Sequence, residues 1–206
     1  MTKEWLRRLA LPLEIMLFKK KIFSEDEVQG KDFTDATFDS CKFIGLHFKF
    51  INFSSCTFKT CDFSESLFDS VGLSGCKFPE SKLSFLDFSN TSLFNCDFSG
   101  SVAENCIFQK LKGGSKSERK NFDLRSCNFE NADLTGTIFV MCNLSKVNFG
   151  KSILENSVFE RCNLEETDFT EGKISSCGFS DCNIKNTYLD MNGFIDFGSS
   201  KGFKLK

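Results

Sequence analysis

The sequence predicts a repeat solenoid, one elongated body wound into a coil with flat sides, and three observations predict it. Every fifth residue from Phe33 to Phe108 is Phe, Leu or, once, Ala, and after one interruption the beat resumes at Leu124 and runs through Phe129, Leu134 and Phe139 to Phe194. Helices repeat every 3.6 residues and strands every 2, so a strict period of five belongs to neither, and a fixed short period over most of a chain marks a solenoid. The slot two residues before each beat is mostly small or β-branched, and all eleven cysteines (Cys41, Cys56, Cys61, Cys76, Cys96, Cys106, Cys127, Cys142, Cys162, Cys177 and Cys182) occupy it. The three remaining slots are rich in Asp, Asn, Ser, Lys, Glu and Gly. Two inward residues in five, with a turn between units, suit a flat-sided coil.

The segment 1–22 precedes the beat. Trp5, Leu6, Leu9, Leu13, Met16 and Leu17 recur at helical spacing, so a short helix is expected over 2–19, kinked or ended near Pro12. Such a helix can cap the open first coil, serve as a subunit contact, or lie on a membrane surface beside the Lys19-Lys20-Lys21 cluster. The apolar stretch Leu9 to Phe18 is broken by Pro12 and Glu14 and is too short to span a bilayer; it also lacks a small-residue cleavage site, so a cytoplasmic protein is expected.

Repeats fill 23–108 and 121–196. Between the beats at Phe108 and Leu124 lie sixteen positions, which are one ordinary step plus eleven extra residues. These fall mostly within 109–120, a Gly/Ser/Lys-rich segment thrown out from one corner as a loop. It is either a tolerated solvated insertion or a protruding contact element. Its candidate contact residues are Lys110, Lys112, Gly113, Gly114, Lys116, Arg119 and Lys120. The tail 197–206 is too short for a long helix.

Charge divides along the same boundaries. The net charge of −2 conceals +4 over 1–22, −7 over 23–108, +4 over 109–120 and −3 over 121–206. An acidic rod with basic attachments can orient a charged partner.

Units such as Cys61-Asp62-Phe63-Ser64-Glu65, Cys96-Asp97-Phe98-Ser99-Gly100, Ala132-Asp133-Leu134-Thr135-Gly136 and Cys162-Asn163-Leu164-Glu165-Glu166 give the chain its resemblance to the pentapeptide-repeat family, over roughly residues 31 to 196. The resemblance implies an all-β fold, a right-handed quadrilateral β-helix with four pentapeptides per coil. Residues four units apart then share a face. Phe38, Phe58, Phe78, Phe98, Phe129 and their successors fall on one face and Phe48, Phe68, Phe88, Phe108 and Phe139 on the opposite one, with the Leu, Ile and Ala variants on the other two. The beats amount to about eight coils, a rod roughly 35–40 Å long at the spacing of paired strands.

Chemistry is sparse. The cysteines form no Cys-x-x-Cys pair and read as packed small hydrophobes rather than metal ligands or disulfides. The only histidine, His47, occupies an outward slot, no paired carboxylates stand out, and Gly113-Gly114 resembles no phosphate-binding loop. No enzyme, cofactor or metal is expected. Several family members resemble B-form DNA in width and charge and protect type II topoisomerases from quinolones. The resemblance therefore implies a protein partner, DNA gyrase or topoisomerase IV, with no direct nucleic-acid binding. A structural adaptor or secreted effector, presenting a flat face to another protein, is the alternative. Those relatives dimerise through a long carboxyl-terminal helix, for which no counterpart is expected after Phe194; the amino-terminal helix is a substitute dimer contact.

Overall fold

The structure, a computed structural model, describes residues 16–110 and 122–206. Its strands are two to four residues long and every pairing is parallel. Phe18 pairs with Phe38, Phe33 with Phe53 and Phe48 with Phe68, each with the residue four units further along the chain. Four pentapeptides thus complete one turn, and the chain is a parallel β-solenoid of about eight turns. We number the four faces by their first beat residues: face one from Phe18, face two from Phe23, face three from Val28 and face four from Phe33.

The lumen is filled by rings. On face one, Phe18, Phe38, Phe58, Phe78, Phe98, Phe129, Phe149 and Phe169 form a continuous stack with centroids 4.8–5.2 Å apart and planes within 4–13° of parallel. The coil rise imposes that spacing, and it lies within the range that aromatic pairs favour. Face three carries the opposed stack. Rings of the two faces meet edge to face, as Phe98 and Phe108 do at 6.1 Å and 84°. Phe68 breaks the second stack, meeting Phe48 at 79° and Phe88 at 84°.

The slot two residues before the beat has a role beyond its size. The Cys61 thiol donates to the Phe38 carbonyl at 3.3 Å, the Ser81 hydroxyl to the Phe58 carbonyl at 2.7 Å, and the Thr167 hydroxyl to the Leu144 carbonyl at 2.8 Å. Each bond reaches back to the preceding coil. Cys, Ser and Thr are interchangeable here because all three are small and carry a donor, so the corner carbonyl is satisfied inside the core. The cysteines are all free, ten of them buried and Cys182 partly so.

At most corners the residue two beyond the beat takes left-handed backbone, from Lys20 (φ 50°) to Asn186 (φ 54°). Asn, Asp and Gly enter that region cheaply, whereas a bulky or β-branched side chain is strained there.

Two terminal expectations need correction. Leu17–Lys19, placed at the end of the expected helix, is a strand paired with Thr37–Asp39, and the Phe18 ring stacks on Phe38 at 5.0 Å. Phe18, Phe23 and Val28 are therefore beat residues, and the solenoid starts three units before Phe33. Val28 fills its place from a single helical turn, α1 (Glu25–Val28), with Ser24 N–H donating to the Glu27 carboxylate at 3.0 Å. The rest of the expected helix, 2–15, lies outside the described residues. At the other end the beat stops at Leu189, and Met191–Ser200 is a helix, α2. Phe194, expected on a face, is 64% exposed on that helix. Asp190 decides the change, because its carboxylate accepts from Gly193 N–H at 2.8 Å and caps the first turn. That bond, with a second from Glu171 N–H, holds the Asp190 carboxyl below its ordinary range. Phe197 then lays its ring against Phe179, at 5.5 Å and 63°, and Lys201 Nζ donates to the Phe179 carbonyl at 2.6 Å. The last coil is closed by a ten-residue helix that reaches into the expected tail 197–206.

Candidate interaction surface

With the lumen packed, function must lie on the outside. The insertion joins the coils cleanly: across it Asp97 pairs with Asn128, Val102 with Asp133 and Ile107 with Ile138. Each of these pairs is eleven positions wider than the four-unit step, so eleven residues stand outside the coil count, as expected. Lys110, the first candidate contact residue, is exposed just after the strand Ile107–Gln109 on face three. Lys112, Gly113, Gly114, Lys116, Arg119 and Lys120 lie outside the described residues.

The acidic side chains are less free than their number suggests. Asp62, Asp97, Asp133 and Asp168 each accept a backbone N–H two residues on, at 3.0, 3.1, 3.1 and 2.8 Å. These carboxylates fasten the outward turn of each unit. His47 is half-buried on face three, with its backbone N–H on the Glu25 carboxylate at 3.0 Å. A cavity of about 440 Å³ opens near α2, lined by Glu155, Glu171, Lys173, Asp190 and Asp196 among others; Asp190 is already engaged as the helix cap. Among the described residues no group of three His, Cys, Asp or Glu side chains is placed to hold a metal ion, and no helix is long and apolar enough to cross a membrane.

Three thiols of the lumen are chemically muted. Burial pushes Cys61, Cys106 and Cys177 up to about 12. A thiol that keeps its proton is a poor nucleophile and a poor ligand.

The faces differ most in the outward slot just before each beat. On face four that column is polar and partly hydrogen-bonded along its length: Asn52 Nδ2 donates to Asp32 Oδ1 at 2.9 Å, Asn163 Nδ2 to Asn143 Oδ1 at 3.2 Å, and Asn183 Nδ2 to Asn163 Oδ1 at 2.8 Å. On face three it turns aliphatic, with Leu67, then Asp87, Ile107, Ile138 and Val158 on successive coils. Leu67 is 61% exposed, Ile138 37% and Val158 38%. The corners add to this. Among the described residues, the apolar side chains at left-handed corners are Phe50, Phe85 and Met141 (φ 51°, 66° and 54°), and all three stand at the two edges of face three. The sequence signal for this surface was available: sorting the outward slot by face, rather than pooling it, separates the aliphatic column from the Asn column.

Comparison with family models gives two matches, pentapeptide repeats (8 copies) over residues 32–69 and 72–109, and a pentapeptide repeat region over residues 122–193. The chain belongs to the pentapeptide-repeat family. Among solved structures it is similar to a trypsin-treated variant of QnrB1, a plasmid-mediated fluoroquinolone resistance protein, with 12% identity, a TM-score of 0.68, and coverage of 93% of this chain and 99% of that one. Full-length QnrB1 matches with 14% identity, a TM-score of 0.68, and coverage of 92% and 98%. Comparison with curated proteins returns no match.

Proposed function

We propose that this solenoid is a non-enzymatic binding protein whose partner is a type II topoisomerase, DNA gyrase or topoisomerase IV, and that it protects that enzyme from quinolones. The observation that carries the reading is the end-to-end likeness to QnrB1, which spans nearly the whole of both chains. The acidic repeat blocks and the basic 109–120 insertion are consistent with it, since a charged rod steers a charged partner. The insertion is the proposed contact element and the rod its carrier.

A supercoiling assay tests the proposal. With gyrase and ciprofloxacin, micromolar protein should restore supercoiling, and a variant lacking residues 110–120 should restore less while keeping its fold. Neither rescue nor inhibition by the intact protein would sink the reading. A second reading, an adaptor for another protein, draws on the aliphatic column of face three.

A further inference from the structure

We infer that face three is a docking surface for a basic amphipathic helix of a partner protein, lying along the rod axis. The aliphatic column presents one side chain per coil, at Ile107, Ile138 and Val158. Coils repeat about every 4.8 Å and helical turns every 5.4 Å, so a helix running along the rod can set one aliphatic residue against each rung over several turns.

The basic character follows from the far end of the column. A cavity of about 160 Å³ opens on face three between Leu67, Phe85, Asp87, Ser89 and neighbouring residues. Its wall is the ring of Phe85, 72% exposed, and its polar group is the Asp87 carboxylate, whose Oδ1 accepts from Ser89 N–H at 2.8 Å. A lysine or arginine entering there would lay its methylenes on Leu67 and the Phe85 ring and bring its charge to Asp87. Glu104 and Glu155 stand on the adjoining corner, three residues before Ile107 and Val158, and favour the same sign of partner; on the opposite corner Lys110 opposes it and Arg161 is paired with Glu160. From Leu67 to Val158 is four coil steps, roughly 19 Å, which about 13 residues of helix span.

Phe85 supplies an independent argument. Its left-handed backbone (φ 66°) suits Asn or Gly, and its ring is 72% exposed and belongs to no aromatic pair among the described residues. The left-handed corner is ordinary in this fold, but a large exposed aromatic is a costly occupant of it for folding alone. The surface goes beyond the topoisomerase reading and is tested without gyrase.

The probe is an 18-residue peptide of leucine and lysine with the leucines on one helical face, followed by fluorescence anisotropy. The comparisons are a scrambled peptide of equal composition and a leucine/glutamate helix. Wild-type protein should bind the leucine/lysine helix at micromolar levels and the other two at least about tenfold more weakly. Ile138→Asp and Phe85→Asn should each weaken binding about tenfold, and Phe85→Asn should do so while its melting temperature stays level or rises. Equal binding of the scrambled or acidic peptide, or unchanged binding by both variants, overturns the inference. A wild-type dimer in sedimentation that Ile138→Asp dissociates would also overturn it, assigning the face to a second copy of the chain.

Discussion

Phe98 and Phe129 flank the insertion in the chain, yet their rings stack at 5.0 Å and within 4° of parallel. Phe108 and Phe139 do the same on the opposite face, at 5.0 Å and 6°. The eleven-residue insertion therefore leaves the stacked lumen undisturbed, and residues 110–120 can be removed without breaking a ladder. The deletion variant should retain its circular dichroism spectrum and melt at or above the wild-type temperature, because closing a shorter loop costs less entropy, by about 1 kcal/mol or less. A collapse in melting temperature would show that the insertion is part of the core.

At the centre of the rod, filling the lumen should matter more than the ring itself. Phe129→Ala should destabilise by about 3–5 kcal/mol, as large buried side chains do on truncation. Phe129→Leu should cost about 1.5 kcal/mol or less, because Leu134 and Leu144 already occupy the same lumen in the same coil. Urea denaturation of the two variants measures the difference; equal losses would mean that a branched side chain cannot stand in for the ring in this stack.

The buried thiols give the protein an alkaline limit. Burial holds Cys61, Cys106 and Cys177 near 12, above the value of an exposed thiol. Between those values the unfolded chain has lost protons that the folded chain keeps, so stability falls as pH rises, by up to ~1.4 kcal/mol per pH unit for each thiol. Stability should be level from pH 7 to about 8.5 and then decline steeply toward pH 12. At pH 8 a thiol reagent should label Cys182 first, since it alone of the eleven is only partly buried. Rapid labelling of all eleven in the native state would contradict the packing described above.

Left-handed corners offer stabilising substitutions. Thr60 has φ 50° with a β-branched side chain, whereas Asn105, in the same conformation (φ 54°), is a residue that enters that region readily. Thr60→Asn should raise stability by about 0.5–1 kcal/mol, read from the denaturation midpoint. A loss would show that the Thr60 side chain makes a contact more valuable than the relief of strain.

The five-residue beat exposed the fold because one slot takes mostly large apolar residues and another mostly small ones, and neither depends on distant sequence. Phe18 escaped because the helix expected over 2–19, read from the spacing of Trp5 to Leu17, competes with the beat at that residue. Val28 escaped because a helical turn, rather than a flat unit, delivers it to the lumen. Phe194 misled for the opposite reason: it falls on the beat, but the Asp190 cap had already committed the backbone to a helix. The candidate surface was less legible. Lys110 stands exposed just after the strand Ile107–Gln109, while the aliphatic column of face three becomes visible only once residues four units apart are stacked and the four faces are read separately. The thiol-to-carbonyl bonds were hidden in another way, since a slot that prefers small residues does not announce that it also prefers donors.

A chain wound at four units per turn counts its own length as an angle. Inserting one further unit within the count would add a quarter turn, so that every later residue would move to the neighbouring side: Ile138 and Val158 would leave the line of Ile107, and the ring stack of Phe98 would meet leucine instead of Phe129. The eleven residues present add no rotation because they stand outside the winding. Length variation in such a rod is therefore a form of steering, and surfaces made from several coils keep their alignment only when insertions are looped out or come in whole turns.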